Sequence, residues 1–306
     1  MDLSLLLIRM VIFAVLLASG YAAARNGLLS PEFAKSASWL VMNIFLVASI
    51  INSVIGSSSE LPAGEVLFAL AVLTGLFILL YALATVYSVF FCRDKANAPF
   101  MVPLLGTMNN LFIGLPVLQA ASGAEAVFYD GLSNVPFNLV LYTYGVWMMT
   151  RNRGEGKVNW KRMLSAPLIA SLAALLLFAL KLPMPRLVTE FFSTVSAATT
   201  PVSMIVIGAT LGGTDLRETL REKRIYLLCA IKLVIFPLIV FFLCRHWIAD
   251  EALLMTLVVL AGCPSGIVCT PLALQYGYDA VLSSKCLLAM TMLSMITLPA
   301  VLLLLF

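Results

Sequence analysis

The sequence predicts an all-α integral membrane protein whose ten transmembrane helices form two inverted five-helix repeats. Three observations predict this fold: an apolar composition, apolar segments of membrane-spanning length along the whole chain, and a matching interruption in each half. Of the 306 residues, 62% are hydrophobic and 11% are charged, and the mean hydropathy is +1.04. A soluble domain is about half apolar and about a quarter charged. The composition therefore places the chain in a bilayer.

The apolar segments have the length of transmembrane helices, which need roughly 20 residues to cross ~30 Å of hydrocarbon. Ser30 and Pro31 supply a helix start for the second segment, as the cap and the first helical residue. The ten predicted spans cover residues 3–24, 33–55, 64–91, 99–121, 126–150, 163–181, 187–211, 225–247, 252–276 and 280–305.

Charges in the connecting loops predict the orientation. If the N-terminus is outside, thirteen Lys and Arg residues lie in inward loops, and only Lys181, Arg186 and Arg245 lie in outward ones. This positive-inside bias predicts that both termini face outward. The most polar loop, RNRGEGKVNWKR, is read as a cytoplasmic linker over 151–162 between a first repeat (1–150) and a second repeat (163–306). Five spans per half give the halves opposite starting orientations, which predicts an inverted repeat.

The fourth and ninth predicted spans carry matching interruptions. Span four contains NNLFIGLPVLQ and span nine contains PSGIVCTPLALQ. Aligning Pro116 with Pro271 also aligns Asn109 with Pro264, because each pair is seven residues apart. Proline removes a backbone donor and clashes with the preceding turn, and Gly114 relaxes the chain nearby. The alternative is that each proline only kinks its own helix. This alternative explains a single span, but it does not explain why both spans are interrupted at the same place.

A pair of interruptions indicates one central site. In a membrane, freed N–H and C=O groups are costly unless they are buried in protein or face a watery cavity. We therefore expect the two segments to cross and to bind an anion, because helix N-termini there offer N–H groups. Asn109 and Asn110 would donate to the anion, Pro116 and Pro271 would keep the helices open, and Ser265 with the backbone after Pro264 would complete the site.

Span five carries a polar stripe. Asp130, Asn134 and Asn138 follow at intervals of four residues, so they share one helix face. A carboxylate inside a membrane helix is a functional candidate, and Asp130 is the candidate for proton coupling. The alternative is that Asp130 lies at the outer interface and caps its helix. The repeat offset also aligns Asp130 with Lys285, or with Ser284 if the alignment contains a one-residue gap. The first alignment gives the hypothesis of an ion pair between Asp130 and Lys285.

Two further polar residues fall inside predicted spans. Lys232 either extends its side chain to the cytoplasmic headgroups or pairs with a substrate carboxylate. Asn43 is predicted to hydrogen-bond a neighbouring helix and to line the cavity if span two borders the crossing.

The sequence contains no residue pattern that is typical of an enzyme active site. The one histidine, His246, and six scattered cysteines give no metal-ligand or nucleophile–base pattern. The cysteines are interpreted as small apolar fillers. We expect no cofactor and no metal, with coupling to H⁺ or Na⁺ left open.

The motifs together resemble the auxin efflux carrier family, in its bacterial malonate- and malate-permease form. The resemblance rests on Asn109, Gly114 and Pro116 in span four, on Lys232 ahead of Pro237 in span eight, and on the stretches TPVSMIVIGATLGG, CPSGIVCTPLALQYG and SMITLP. It covers essentially the whole chain, and the short central loop is similar to that of the bacterial type.

The resemblance implies a secondary transporter with a scaffold part and a transport part, similar to bile-acid symporters and sodium/proton antiporters. It implies elevator-type alternating access for a small organic anion such as malonate, malate or an auxin-like acid, in the bacterial inner membrane. The implied partners are this anion and the lipid bilayer, without nucleic acid, and a homodimer stays open. The alternatives are a sodium-coupled symporter of the bile-acid type and a membrane receptor that does not transport.

Overall fold

The computed structural model describes residues 3–55, 63–151, 166–180, 184–212 and 222–306. Within these ranges the regular structure is helical, without strands. Among the described residues, five helical stretches are long and apolar enough to cross a membrane: Glu32–Asn52, Gly64–Phe91, Arg186–Thr210, Lys223–Cys244 and Ala280–Leu305. The prediction of an all-α multi-pass membrane protein is therefore confirmed, whereas the ten-helix inverted repeat and the boundaries of the two repeats stay predictions.

The described residues of the first half form eight α-helices. They are α1 (Leu3–Arg25), α2 (Pro31–Leu40), α3 (Leu46–Ile55), α4 (Ala63–Val86), α5 (Ala98–Gly106), α6 (Leu115–Ala121), α7 (Ala124–Val140) and α8 (Val146–Thr150). Short π-helical turns continue or connect them at Val41–Phe45, Tyr87–Phe91, Asn110–Gly114 and Leu141–Gly145. Ser30 accepts a hydrogen bond from the N–H of Phe33 at 3.2 Å and Pro31 is the first residue of α2, so the predicted cap is confirmed.

The second half forms a further eight α-helices within the described residues. They are α9 (Ala166–Leu180), α10 (Arg186–Ala197), α11 (Thr199–Gly212), α12 (Lys223–Ala230), α13 (Phe236–Cys244), α14 (Glu251–Gly262), α15 (Cys269–Gln275) and α16 (Ala280–Leu305). A π-helical turn, Ile231–Ile235, joins α12 to α13. Asp250 begins α14 by accepting hydrogen bonds from the N–H groups of Ala252 and Leu253, which satisfies donors that a helix start leaves free.

The helices pack as two groups. The first group joins α1–α3 with α9–α11, where α1 packs along α11 and α3 packs against α9 and α10. The second group joins α4–α8 with α12–α16, where α4 packs on α5 and α7, and α14 packs on α7, α13 and α16. Each group therefore takes helices from both halves of the chain. The groups meet where α7 contacts α3 and α9, and where α1 contacts α6 and α16.

Glycines bring α1 and α11 into close contact in the first group. A Cβ atom placed on Gly208 would lie 2.0 Å from the carbonyl oxygen of Leu17, and one on Gly20 would lie 2.2 Å from that of Ile205. Small residues allow such backbone approach between membrane helices, where packing contributes much of the association. Side chains larger than hydrogen therefore cannot occupy these positions without separating the two helices.

Contacts at both ends tie the second group together. At one end, the Tyr278 hydroxyl donates to the carbonyl of Met149 at 2.7 Å, and the N–H of Asp279 donates to the Asn97 side-chain oxygen at 3.1 Å. The Asn97 amide also donates to Asp94 at 3.0 Å and holds the pKa of that half-buried carboxyl below its usual value. These loops all lie on the predicted cytoplasmic side, so the contacts agree with the predicted alternation of the spans.

At the other end, the Tyr129 hydroxyl on α7 donates to the Asp250 carboxylate at 2.6 Å. Asp250 is the cap of α14, so this hydrogen bond fixes the start of α14 against α7. The two ends together hold the second group as one packed body.

Candidate functional site

The backbone of Asn109 meets the backbone of Pro264 in the middle of the second helix group. Helix α5 ends at Gly106 and the following π-turn begins at Asn110, so residues 107–109 lie outside regular helix. Helix α14 ends at Gly262 and α15 begins at Cys269. The N–H of Asn109 donates to the carbonyl of Pro264 at 2.7 Å. The two non-helical stretches, 107–109 and 263–268, belong to different halves of the chain and are in direct contact. We call this contact the crossing.

Thr107 and Cys269 reinforce this contact. The N–H of Gly266 donates to the Thr107 hydroxyl at 3.1 Å, and the same hydroxyl lies 3.0 Å from the Cys269 thiol. Both side chains are fully buried. The sequence does not mark Thr107 as a candidate site residue, and Cys269 looks there like a small apolar filler. Nothing in their spacing distinguishes them from other small residues of an apolar helix.

Gly114 and Ser265 also help to pack the two stretches together. A Cβ atom on Gly114 would lie 3.0 Å from the Cys263 sulfur. A side chain at position 114 would therefore crowd the second non-helical stretch, which begins at Cys263. The Ser265 hydroxyl donates to the carbonyl of Leu104 and lies 3.1 Å from the sulfur of Met290. Ser265, a predicted ligand residue, therefore has its hydroxyl engaged by the protein itself.

Asn109 lines a cavity beside the crossing. The cavity has a volume of about 340 Å³ and lies between the two helix groups, with walls from α2, α11, α15 and α16 and from residues 109–112. The Asn109 side-chain oxygen accepts from the N–H of Phe112 at 3.4 Å. Its side-chain nitrogen donates to none of the described residues. Of the predicted ligand residues, Asn109 is thus the one whose side chain lines this cavity.

Asn110 points its amide at Asp130. The Asn110 nitrogen donates to one Asp130 carboxylate oxygen at 3.1 Å and lies 3.5 Å from the Ser133 hydroxyl. The other Asp130 oxygen has no hydrogen-bond partner among the described residues. Asp130 is fully buried and lies inside α7, whose preceding residue is Gly123. The alternative that Asp130 caps its helix at the interface is therefore wrong.

The remaining residues of the polar stripe bond within their own helix. The Asn134 amide donates to the carbonyls of Asp130 and Gly131, at 3.2 and 3.1 Å, and the Asn138 amide donates to the carbonyl of Asn134 at 2.8 Å. Both asparagines are buried. They surround Asp130 with polar groups of α7 but do not line the cavity.

Asn43 does not reach a neighbouring helix. Its amide donates to the carbonyl of Trp39 one turn earlier, at 2.8 Å, and the residue is absent from the cavity wall. The prediction that Asn43 hydrogen-bonds a neighbouring helix and lines the cavity is therefore wrong. Its side-chain amide hydrogen-bonds the backbone of its own helix instead, as Asn side chains readily do over short range.

Lys232 is completely buried. It lies in the π-turn between α12 and α13, and its Nζ has no hydrogen-bond partner among the described residues. The Nζ atom lies 5.7 Å from the ring centroid of Phe236. The alternative that this side chain extends to the headgroups is wrong, since the ammonium group is enclosed by protein.

The predicted ion pair between Asp130 and Lys285 is not formed. The Asp130 carboxylate contacts Asn110, whereas the sequence neighbours of Lys285, Ser283 and Ser284, face the hydroxyl of Thr270 at 3.1 and 3.5 Å. The repeat offset relates positions in two equivalent helices, but it does not require that those positions meet. In the described part of the chain, no group of three His, Cys, Asp or Glu residues is placed to hold a metal ion.

The long apolar helices are those of a multi-pass membrane protein, and a buried polar crossing lies beside a small cavity between its two helix groups. The model of the membrane transport protein family matches residues 5–159 and 154–302. The chain therefore belongs to this family of membrane transporters, and the resemblance to auxin efflux carriers is confirmed.

A relative from the archaeon Methanothermobacter thermautotrophicus is similar along almost the whole chain. It is 26% identical over 296 residues, which cover 93% of each protein, and it is described as an uncharacterized transporter. The family and this relative indicate a transporter rather than an enzyme.

Proposed function

We propose that the protein is a secondary transporter that moves a small organic anion by elevator-type alternating access. The observation that carries the proposal is the contact of Asn109 with Pro264 beside the cavity between the two helix groups. This contact brings the two predicted interruptions together beside a cavity of ligand size. In this proposal, Asn109 donates its side-chain amide to the substrate carboxylate, and Pro264 keeps the second stretch out of regular helix. Pro116 and Pro271 lie within α6 and α15, after the two non-helical stretches, so the prediction that they hold the helices open is wrong.

The two helix groups support the proposed mechanism. The group of α4–α8 and α12–α16 holds the crossing and is tied at both ends, so it can move as a unit. The group of α1–α3 and α9–α11 supplies the opposite cavity wall and is closely packed through glycines. In the ten-span interpretation each group contains equivalent spans of the two halves, which is what two inverted repeats would give. A cavity at the boundary of two such bodies is exposed to alternate sides when one slides past the other.

Asp130 is the proposed coupling residue. Its carboxylate is buried one hydrogen bond away from Asn110, the neighbour of the proposed ligand residue Asn109. An intramembrane carboxylate is typical of proton- or sodium-coupled transporters. Uptake into proteoliposomes under an imposed pH gradient, and separately under a sodium gradient, tests which ion is coupled. In Asp130→Asn, which keeps the shape of the side chain, the stimulating gradient should lose its effect.

Counterflow tests transport itself. Proteoliposomes preloaded with an unlabelled carboxylate should accumulate the same labelled carboxylate against its gradient, across a panel of mono- and dicarboxylates. A receptor that binds without transport would show saturable binding and no counterflow, and this result would remove the proposed function.

Alternating access has a test of its own. A cysteine at Thr270, on the cavity wall, should react with a membrane-impermeant thiol reagent from either side of oriented vesicles, and a bound carboxylate should slow both reactions. Five of the six native cysteines are buried and Cys244 is half-buried, so the unsubstituted protein gives the background. Reaction from one side alone under all conditions would contradict the mechanism.

A further inference from the structure

The cavity between the two helix groups has its mouth at one end of the molecule. Thr210 lies near the end of α11 and Ser284 lies near the start of α16, and both of these wall residues are exposed. The wall residues beside the crossing, Asn109, Phe112 and Thr291, are buried. The cavity therefore extends from an exposed mouth to a buried end at the crossing. The predicted orientation of the spans makes the mouth the cytoplasmic end.

Ile50 lies on the same span as the cavity residue Ser38, but farther toward the opposite end of the molecule. Both belong to the apolar stretch Glu32–Asn52, and Ser38 lines the cavity near the start of that stretch. The separation of the two residues in the sequence corresponds to about 18 Å along a helix that rises about 1.5 Å per residue. In the described wall of the cavity α3 and α9 contribute no residue, and both of these helices contact α7 instead.

The side chain of Ile50 packs directly on Gly131 of α7. A Cβ atom placed on Gly131 would lie 3.2 Å from Cγ2 of Ile50 and 3.9 Å from its Cβ atom. Ile50 also packs with Ala170 and Ala174 of α9 in a small hydrophobic cluster that is separate from the main core. All four residues are buried. The first helix group therefore presents a branched side chain and two alanines to a glycine of the second group.

The contact of Ile50 with Gly131 lies next to the crossing. Asp130 directly precedes Gly131, and its carboxylate accepts a hydrogen bond from the Asn110 amide at 3.1 Å. Asn110 directly follows the cavity residue Asn109. The part of α7 that meets α3 is therefore adjacent to the polar groups of the crossing, and Ile50 lies on the side of them that is away from the cavity mouth.

The two groups differ from this contact in how their own helices are joined. In the first group, the Ser49 hydroxyl lies 3.1 Å from the Ser196 hydroxyl and 2.7 Å from that of Thr199. The hydrogen bonds of the crossing and of both ends join the helices of the second group in the same way. Between the groups, the Ile50 side chain meets Gly131 through apolar atoms, and hydrophobic packing is non-directional. Such surfaces can pack again after one has shifted along the other.

We propose that the contact of Ile50 with Gly131 is the gate that closes the cavity to the face opposite its mouth. This inference rests on the proposed function and names the surface along which the proposed movement takes place. Opening toward the opposite face requires α7 to slide along α3 and α9, which carries Gly131 away from Ile50 and brings the crossing to that face. A covalent link between the two positions therefore stops transport.

A disulfide between positions 50 and 131 tests the gate. The distance of 3.9 Å between the Cβ position of Gly131 and the Cβ atom of Ile50 fits the range of about 3.5–4.5 Å found in disulfides. The double variant Ile50→Cys, Gly131→Cys should therefore cross-link in proteoliposomes treated with copper phenanthroline, as measured by mass spectrometry of the linked peptides. Oxidation should reduce counterflow at least about tenfold because the sliding step is blocked, and dithiothreitol should restore it. The probe is labelled malonate, or another carboxylate of the counterflow panel that the unsubstituted protein exchanges.

The double variant Ser49→Cys, Ser196→Cys is the matched control. It joins α3 to α10 inside the first group, beside Ile50 in the sequence, so its disulfide should leave counterflow unchanged. Full counterflow in protein that carries the disulfide between positions 50 and 131 would overturn the inference, and so would an equal loss in the oxidised control. A folded Ile50→Cys, Gly131→Cys protein that forms no cross-link would overturn it as well.

Gly131→Val tests the same contact without a disulfide and serves if the double variant is poorly folded. Its branched side chain would crowd Ile50, and such overpacking should slow counterflow at least about fivefold. Ile50→Ala in the same protein makes room for the valine and should restore most of the rate. Unchanged counterflow in Gly131→Val, or no recovery in a folded Gly131→Val, Ile50→Ala protein, would contradict the gate.

The outcome distinguishes this inference from the proposed function. If the reduced double-cysteine protein exchanges carboxylates and continues to do so when it is cross-linked, organic-anion transport stands and the gate falls. If the unsubstituted protein shows no counterflow of any carboxylate in the panel, both fall together.

Discussion

The backbone N–H of Asn109 donates to the carbonyl of Pro264 at 2.7 Å, and so joins the two halves of the chain at their non-helical stretches. The reciprocal hydrogen bond cannot form, because Pro264 has no N–H. The crossing is therefore asymmetric, although the two stretches occupy equivalent places in the sequence. The side chains differ as well, because Asn109 presents an amide to the cavity and its counterpart Pro264 does not.

The Thr107 hydroxyl should be required for the stability of the crossing. Thr107→Val keeps the side-chain shape but removes the acceptor of the Gly266 N–H, which is buried. Leaving a buried donor without a partner costs about 1–3 kcal/mol, so the thermal unfolding midpoint should fall by several degrees. Thr107→Ser keeps the hydroxyl and should lose much less. Equal midpoints for the Val and Ser variants would show that this hydrogen bond contributes nothing.

The close contact of α1 with α11 should tolerate no side chain at Gly208. A methyl group there would overlap the carbonyl oxygen of Leu17, 2.0 Å from the Cβ position. Gly208→Ala should therefore reduce the yield of folded, monodisperse protein in size-exclusion chromatography.

Gly75, in the interior of α4, is the matched control for Gly208. A Cβ atom at Gly75 meets nothing within 4 Å, and alanine has the higher helix propensity. Gly75→Ala should consequently elute as the unsubstituted protein does. Loss of folded protein in both variants would mean that the effect is not specific to the α1–α11 contact.

Replacement of Lys232 should separate stability from transport. Lys232→Met removes a fully buried ammonium group without a described hydrogen-bond partner and keeps an unbranched side chain. Apolar replacement of buried charged groups is often neutral or stabilising by about 1–4 kcal/mol, so the unfolding midpoint should not fall. If Lys232 balances charge during transport, counterflow should drop at least about tenfold.

Lys35→Met, on the exposed part of α2, is the control for Lys232→Met and should change neither property. A stable Lys232→Met protein with full counterflow would contradict a role for Lys232 in transport.

The sequence was sufficient for the membrane class, for the helical character of the apolar segments and for the approximate place of the two non-helical stretches, but not for the residues that form those stretches. These features depend on hydropathy over about twenty residues and on the local effect of proline, both of which are properties of neighbouring residues. The cap at Ser30 was predictable for the same reason.

Side-chain contacts between helices that are distant in the sequence were not predictable in the same way. In a helix that is apolar on every side, the sequence does not show which face meets which neighbour. Lys232 therefore looked able to reach the headgroups, although it is enclosed, and Asn43 looked like a bridge between helices, although it bonds its own backbone. The contacts of Asn110 with Asp130 and of Thr107 with Cys269 likewise depend on how distant helices are oriented.

Counterflow by Asn109→Asp tests the central claim most directly. The substitution preserves the size of the side chain but places a negative charge where the substrate carboxylate is proposed to bind. In proteoliposomes it should abolish counterflow of every carboxylate that the unsubstituted protein transports, while Asn43→Asp, outside the cavity, should retain it. Counterflow that persists in a folded Asn109→Asp protein would contradict the assignment of the crossing as the substrate site.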